Sequence, residues 1–204
     1  MPFELSIDEG AQLVRLARRA IETKLKTGET IKPEESSPRF KEPCGVFVTL
    51  NKIVNGSHSL RGCIGFPTPV LPLAEAVIDS AISAAMRDPR FNQVTLKEMD
   101  SIVIEVSVLT PPEVIEVERP DKYPEKVDVG RDGLIVSRGS HKGLLLPQVP
   151  VEWGWDADEF LTQCCIKAWL PPDAWLEKET KILKFQAIIF TEEAPRDGVK
   201  KVEL

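Results

Sequence analysis

Apolar residues near the start of the chain recur every three to four positions, which is the period of a helix with one buried face. Ser6 and Glu9 have the spacing of a capping box, and Gly28 is suited to a helix end. The sequence therefore predicts an amphipathic first helix with a buried stripe formed by Leu13, Leu16, Ala17, Ala20 and Ile21.

From Cys44 the pattern changes to the alternation of a strand, and Asn55-Gly56 favours a tight hairpin turn. Later helices are expected to begin at Pro72, at Thr95 in a capping box with Glu98, and at Asp156. Further strands are predicted at 101–110, 113–117, 134–137, 144–146 and 182–190. These elements favour an α+β fold with mixed or antiparallel sheets.

Three segments lack periodicity. Residues 29–43 are rich in proline and predict a surface loop, with a flexible lid as the alternative. Residues 119–126 predict an exposed connection, and the polar tail after Glu192 is expected to be mobile. The tryptophans cluster near the last helix, where we expect them to pack lobes together rather than stack on bases: Trp153, Trp155, Trp169 and Trp175.

The hexapeptide LRGCIG (60–65) combines a cation, a thiol and two glycines within a strand. Glycine weakens a strand interior, so Gly62 and Gly65 predict a bulge or a close backbone approach. Alternation puts Arg61 and Cys63 on one face. Two interpretations stay open: the pair faces a ligand, or Arg61 is paired internally and Cys63 is an ordinary buried thiol.

The hairpin register decides where Arg61 lies. With Asn55-Gly56 as a two-residue turn, Val48 faces Cys63 and Leu50 faces Arg61, so Arg61 lies on an apolar face and needs a carboxylate or a bound anion. A slip of one residue would reverse this assignment. Glu105 is the charged residue of its strand, and we propose it as the partner of Arg61 or Arg90. The alternative for Glu105 is a solvated edge position.

The motif DPRF (88–91) directly follows the second helix. Asp88 precedes Pro89 and is therefore driven out of the helical conformation. The motif predicts a turn shaped by an Asp88–Arg90 pair, with Phe91 anchored in the core.

Together with LLPQV (145–149), these motifs resemble the AMMECR1 family over roughly residues 44–170. The resemblance implies two unequal subdomains, a larger lobe of 1–118 with 156–204 and a smaller lobe of 119–155. It also implies a cleft near LRGCIG that Arg61 and Arg90 border, and two guanidinium groups favour phosphate or carboxylate. The predicted ligand-binding residues are Arg61, Gly62, Cys63, Asp88, Arg90, Glu105, Gln148 and Lys167.

Charge and cysteine content limit the kinds of partner and cofactor that we expect. The net charge of −6 opposes non-specific binding of nucleic acid. The four cysteines have no C-x-x-C spacing, which favours reduced thiols in a cytoplasmic protein, and they form no zinc pattern with the two histidines. No apolar run approaches the ~18 residues of a membrane span. We therefore expect no metal, no cofactor and no membrane contact.

The expected function is binding of an anionic small molecule or of a partner protein segment. Cys63 is the candidate nucleophile, because Arg61 beside it would lower the thiol pKa. No histidine lies in a motif that brings it to Cys63, so we expect Cys63 to be structural or to contact a ligand, and catalysis stays open. The alternatives are a non-catalytic scaffold that works with Memo-like and radical-SAM proteins, as the resemblance implies, and a nucleic-acid-associated regulator.

Overall fold

The computed structural model describes residues 4–33 and 37–202, which divide into two compact units. The first unit contains the chain up to Leu109 and again from Ile188, and the second contains Thr110–Ala187. In chain order the elements are α1 (Ile7–Thr27), β1 (Gly45–Val54), β2 (Ser57–Phe66), α2 (Leu73–Met86), β3 (Ile102–Leu109), β4 (Glu113–Val114), β5 (Asp132–Arg138), β6 (His141–Leu145), α3 (Gln148–Trp153), α4 (Ala157–Lys167), β7 (Lys181–Glu192) and β8 (Val199–Val202).

The first unit is an antiparallel sheet covered by two long helices. β1 pairs with β2 on one side and with β3 on the other. α2 packs on β1 and β2, while α1 packs on α2 and β3. Val46, Val48 and Leu50 point into the resulting core and are fully buried. The α+β prediction with antiparallel pairing is therefore confirmed.

The predicted capping interactions at the helix ends are present. The Glu9 amide donates to Ser6 Oγ at 3.2 Å, and the Ser6 amide donates to Glu9 Oε2 at 2.9 Å. Gly28 ends α1 in the left-handed conformation, with φ of 77°. Thr95 and Glu98 form a second capping box, which opens a 3-10 helix (Leu96–Ser101). Local side-chain chemistry therefore fixes these boundaries.

The hairpin register contains a bulge that the sequence only suggested. Near the turn, Val54 pairs with Ser57 and Ile53 with His58, as the two-residue turn requires. The register then shifts between Leu50 and Asn51, so Leu50 pairs with Gly62. Arg61 is the extra residue, and the predicted pairs Val48–Cys63 and Leu50–Arg61 are wrong. The bulge turns Arg61 off the apolar face and puts Gly62 there instead.

The second unit has its own antiparallel sheet and core. β5 pairs with β6 and with the first part of β7, which also pairs with β4. α4 packs on β5 and β6. The apolar stripe of this helix is completely buried and consists of Phe160, Leu161, Cys164 and Cys165. The prediction that the two cysteines belong to the core is therefore confirmed.

The unit boundaries differ from the predicted lobes. The smaller lobe was expected to be 119–155, whereas the second unit extends to Ala187. The reason is that the apolar face of α4 and Ile182 of β7 are buried in the same cluster as Leu134 of β5. Charge and proline content mark a surface connection, but they do not indicate which core a later helix joins.

Two other expectations are corrected. The tail after Glu192 is not wholly mobile, because β8 pairs with β7 and Val199 packs on the first core. The tryptophans do not all pack inside: Trp153 is 70% exposed and Trp169 is 87% exposed, while Trp175 is buried. Trp153 instead stacks on Trp155, with ring centroids 6.1 Å apart.

The proline-rich loop is only partly described, since residues 34–36 lie outside the described residues. Its second half is anchored. Phe40 is buried in the first core, and the Leu73 amide donates to the Glu42 carbonyl at 3.0 Å. A lid that includes Phe40 would have to expose this side chain, which opposes the alternative for that half. None of the helices described has the length and apolar character needed to cross a bilayer.

Candidate functional site

The DPRF motif covers the free edge of β2 at Cys63. The Cys63 amide donates to Asp88 Oδ2 at 2.9 Å, and Arg90 Nη2 donates to the Cys63 carbonyl at 3.2 Å. A carboxylate and a guanidinium thus replace a neighbouring strand at this residue. Unpaired strand edges invite pairing with other chains, so this cover also protects the edge.

The two halves of the cover also bind each other. Arg90 Nε donates to Asp88 Oδ1 at 2.9 Å, and Arg90 Nη2 donates to Asp88 Oδ2 at 2.7 Å. The Asp88 side chain is 2% exposed, and its hydrogen bonds from Arg90 hold the pKa of its carboxyl far below the usual range. The predicted local pair is therefore confirmed, and Asp88 is fully used inside the protein.

Gly62 brings α2 close enough for this arrangement. A Cβ atom at Gly62 would lie 2.2 Å from the carbonyl oxygen of Ala84, in the last turn of α2. The DPRF motif follows that turn directly. The predicted close backbone approach at Gly62 is thus confirmed, and its role is to position the motif against β2.

Arg61 is held inside the first unit by Glu98. Its Nε donates to Oε1 at 3.2 Å and its Nη2 donates to Oε2 at 3.3 Å, while Nη1 donates to the Asn92 carbonyl at 2.8 Å. The Arg61 side chain is only 14% exposed. The prediction that Arg61 needs a negative partner is confirmed, and the carboxylate that pairs with it is Glu98 rather than Glu105.

Sequence reasoning identified Glu98 only as a helix cap. Glu98 both caps the helix and pairs with Arg61, because its Oε2 atom also accepts from the Thr95 amide at 3.0 Å. A second cation, Lys52 Nζ, lies 3.4 Å from Oε1. A carboxylate in a capping box is a visible signal, but its second cation comes from a distant strand. The expectation that Phe91 is anchored in the core is wrong: its ring is half-buried, and its centroid lies 5.9 Å from the Arg61 guanidinium and 5.5 Å from that of Arg90.

The pair of Glu98 with Arg61 predicts that the stability of the protein falls in acid. The hydrogen bonds from Arg61 lower the pKa of the Glu98 carboxyl from the usual 4.5 to about 2. The folded pKa is the lower one, so the stabilisation is complete above pH 4.5 and is lost as the pH falls towards 2. We expect Glu98→Gln to remove up to about 3 kcal/mol of this pH dependence.

Urea unfolding at a series of pH values measures the effect. The exposed Glu116 supplies the control, since Glu116→Gln should follow the wild type through the whole range. Parallel pH profiles for the wild type and Glu98→Gln would contradict a stabilising role of the Arg61–Glu98 pair.

Arg90 differs from Arg61 because its guanidinium reaches the surface. The side chain is 52% exposed although one edge is fixed by Asp88 and by the Cys63 carbonyl. Its Nη1 group has no partner among the described residues. Arg90 therefore presents donors outward in a defined orientation, which is the arrangement suited to a carboxylate or phosphate.

A row of three polar side chains crosses the sheet beside Arg90. Thr49 of β1 pairs with Cys63 of β2 on one side and with Glu105 of β3 on the other. Directly paired residues in antiparallel strands point to the same face. We call Cys63, Thr49 and Glu105 the polar row. Strands lie about 4.8 Å apart, so it spans about 10 Å.

Glu105 lies in a central strand and not at a solvated edge. Among the described residues it has neither a hydrogen bond nor an ion pair, so it is not the partner of Arg61 or Arg90. Burial raises the pKa of its carboxyl. Val103 and Ser107, its neighbours on the same face, are buried, whereas Glu105 itself is half-buried. A half-buried carboxyl without a partner is suited to form a hydrogen bond with a ligand.

Cys63 lacks the features of an activated thiol. Burial raises the pKa of its thiol, and the hydrogen bond from Thr49 Oγ1 and the charge of Arg90 oppose this only in part. The bulge removes Arg61 from the role of activating cation. The thiol therefore has the properties of a contact residue rather than of a nucleophile.

We expect native Cys63 to react more slowly with iodoacetamide near neutral pH than glutathione does, because the raised pKa lowers its thiolate fraction. Peptide mass spectrometry after timed labelling measures the rate. Protein unfolded in urea is the control, and there all four cysteines should be labelled at similar rates. Labelling of native Cys63 faster than glutathione would overturn this assignment.

The remaining predicted residues belong to the second unit. Gln148 is the first residue of α3, a helix that the sequence did not predict because prolines 147 and 150 flank its start. Its Oε1 atom is buried without a hydrogen-bond partner. Lys167 is the exposed last residue of α4. The geometry above comes from the first unit alone, and roles for Gln148 and Lys167 in a ligand site stay predictions.

Comparisons with known proteins agree on one family. The AMMECR1 family model matches residues 14–190. Protein PH0010 of Pyrococcus horikoshii is 58% identical over 206 residues and covers 100% of both chains. Protein MJ0810 of Methanocaldococcus jannaschii is 52% identical and covers 98% of each. A crystal structure of the uncharacterized protein PH0010 matches with a TM-score of 0.88 at 57% identity, over 99% of this chain and 100% of that one.

Proposed function

We propose, starting from the premise that this chain belongs to the AMMECR1 family, that it binds a small anionic molecule or an anionic partner group beside the polar row. Arg90 is the anion contact, and Cys63, Thr49 and Glu105 contact the rest of the bound group. Arg61 and Asp88 are positioning residues. Catalysis is not part of the proposal, because the thiol pKa is raised rather than lowered.

The observation that carries this proposal is the half-exposed guanidinium of Arg90. A surface arginine normally loses considerable side-chain entropy when it binds an anion. Here Asp88 and the Cys63 carbonyl already restrict the side chain. A preorganised fork of this kind binds carboxylate or phosphate at a lower entropic cost.

Glu105 narrows the class of ligand. A carboxyl group without a partner is stabilised by a hydrogen-bond donor, so it favours a ligand that carries a hydroxyl or amine about 10 Å from its anionic group. Inorganic phosphate alone cannot meet both ends of the polar row. We therefore favour an organic anion, or a peptide segment that carries an acidic group.

Native mass spectrometry of the purified protein, compared with Arg90→Lys, tests the proposal. Lysine keeps a cation beside the buried Asp88 but loses the planar fork, so the fold should persist while a co-purifying anion is lost. Arg87→Lys is the matched control, because Arg87 directly precedes the DPRF motif and is 65% exposed. Among the described residues, its guanidinium has polar contacts with Asp79 and Ser83 alone.

If no species co-purifies, calorimetric titration with citrate replaces the first measurement. Retention of the bound species in Arg90→Lys would contradict the assignment of Arg90. So would citrate binding that is absent in the wild type or equal in Arg90→Lys and Arg87→Lys.

A second candidate is a scaffold for Memo-like or radical-SAM proteins. It is supported by the exposed tryptophans Trp153 and Trp169 of the second unit, since large exposed aromatic residues are enriched at protein interfaces. Co-elution with a Memo-like or radical-SAM protein of the same organism tests this candidate. Complex formation should be lost in the double variant Trp153→Ser/Trp169→Ser, and an unchanged complex would speak against it.

A further inference from the structure

A second cationic groove lies in the first unit, built from residues that the proposed function does not use. It has a cavity volume of about 690 Å³ and runs between α1 and the turn that joins β7 to β8. Five cationic side chains and three carboxylates line it. A local positive excess is unusual on a chain with a net charge of −6.

The carboxylates of the groove are already paired. Glu192 accepts from Arg18 Nε at 2.6 Å and from the Ile104 amide at 2.9 Å. Glu22 accepts from Arg196 Nη2 at 3.0 Å and Nε at 3.2 Å. Asp197 accepts from the adjacent Gly198 amide at 2.8 Å. Internal cations therefore neutralise two of the three carboxylates, and the third accepts a hydrogen bond from a backbone amide.

Two cations of α1, Arg15 and Lys26, are not neutralised to the same extent. Arg15 is exposed and has no partner among the described residues. Lys26 is 53% exposed and lies 3.7 Å from Glu22, beyond hydrogen-bond distance. These two cations are therefore available to an anion.

The spacing gives the length of the expected ligand. Arg15, Arg19 and Lys26 lie on one face of α1, and eleven residues of helix extend about 16 Å. A single phosphate is much shorter than this distance. The volume also falls within the range of about 300–1,000 Å³ that small-molecule sites occupy.

We infer that this groove binds a chain of linked phosphates, either an inorganic polyphosphate or the phosphate chain of a nucleotide. Arg15 and Lys26 contact opposite ends of the chain. Arginine is suited to this role because its guanidinium matches two phosphate oxygens at once. The inference is independent of the site beside Arg90.

Isothermal titration calorimetry of the full chain with inorganic triphosphate tests it. We expect binding to the wild type and a loss of at least about tenfold in affinity for Arg15→Gln/Lys26→Gln, since the variant removes the charge-assisted contacts at both ends of the chain of phosphates. Lys142→Gln/Lys178→Gln is the control, because it removes the same net charge from exposed positions of the second unit. Its affinity should stay within about twofold of the wild type.

A second arm with adenosine triphosphate distinguishes the two sources. Equal affinities indicate recognition of the phosphate chain alone, and tighter binding of the nucleotide indicates that the base or sugar is also contacted; both results support the groove. Arg90→Lys separates this site from the proposed function, and it should bind triphosphate like the wild type.

Four results would overturn the inference. These are the absence of triphosphate binding at low salt, an equal loss in the two double variants, a loss in Arg90→Lys, and tighter binding of a single-stranded RNA than of triphosphate. The last result would assign the groove to nucleic acid rather than to a small molecule.

Discussion

Replacing Glu192 with alanine is expected to lower the free energy of unfolding by about 4 kcal/mol, the largest effect among the single substitutions considered. The Glu192 and Arg18 side chains are 3% and 8% exposed, so the variant would leave a buried guanidinium with only the more distant carboxylate of Glu22, at 3.5 Å. The Ile104 amide of β3 would lose its acceptor as well. Unpaired buried charges and donors are among the costliest defects in a protein.

Urea unfolding of Glu192→Ala beside Glu193→Ala measures this effect. Glu193 is the next residue and is exposed, so its substitution should change stability by less than about 0.5 kcal/mol. The double variant Arg18→Met/Glu192→Leu should recover much of the loss, because apolar pairs often replace buried ion pairs at little cost. A loss below about 1 kcal/mol in Glu192→Ala would show that the pair is dispensable.

Gly62→Ala is expected to destabilise the protein by about 3 kcal/mol. The new methyl group would lie 2.2 Å from the Ala84 carbonyl oxygen, which is backbone and cannot rotate away. Relief requires α2 or β2 to move. Either movement separates Asp88 and Arg90 from the Cys63 backbone, so the variant should also weaken the edge cover described above.

Thermal unfolding and amide hydrogen exchange measure the two consequences. The Cys63 amide, which donates to Asp88, should exchange faster in Gly62→Ala than in the wild type. Gly198→Ala is the control, since its Cβ would meet only the movable carboxylate of Glu193 at 3.0 Å. Unchanged stability and unchanged exchange at Cys63 would mean that the close approach is not required.

The two arginines singled out by the sequence have different roles for a structural reason. Arg61 is enclosed by Glu98 and loop carbonyls, whereas Arg90 keeps one edge of its guanidinium at the surface. The one-residue β-bulge at Arg61 accounts for the position of its side chain. Without the bulge, Arg61 would point towards the helices, where Gly62 now allows Ala84 to approach.

Elements with local chemical signals were predictable from the sequence. The capping boxes at Ser6 and Thr95, the turn at Asn55-Gly56 and the buried stripe of α4 all follow from spacings within a few residues. The pair Asp88–Arg90 is also local. Such features form through short-range hydrogen bonds and periodic burial, which are encoded directly in neighbouring residues.

Features that join distant segments were not predictable. Arg61 meets Glu98 across 37 positions and Arg18 meets Glu192 across 174, and no periodicity specifies either partner. The polar row depends on the register of three strands, and one slipped residue would send Cys63 to the opposite face. β8 was missed because a short edge strand is stabilised by its partner strand and by packing rather than by its own propensity.

The sequence by itself determined the longer helices, most of the strands, the hairpin turn and the AMMECR1 resemblance, because each rests on contiguous residues. Only the tertiary structure decided which cation is satisfied internally and which is presented to solvent. That distinction depends on which carboxylate the folded chain brings within about 3 Å of each guanidinium, and folding alone sets this distance.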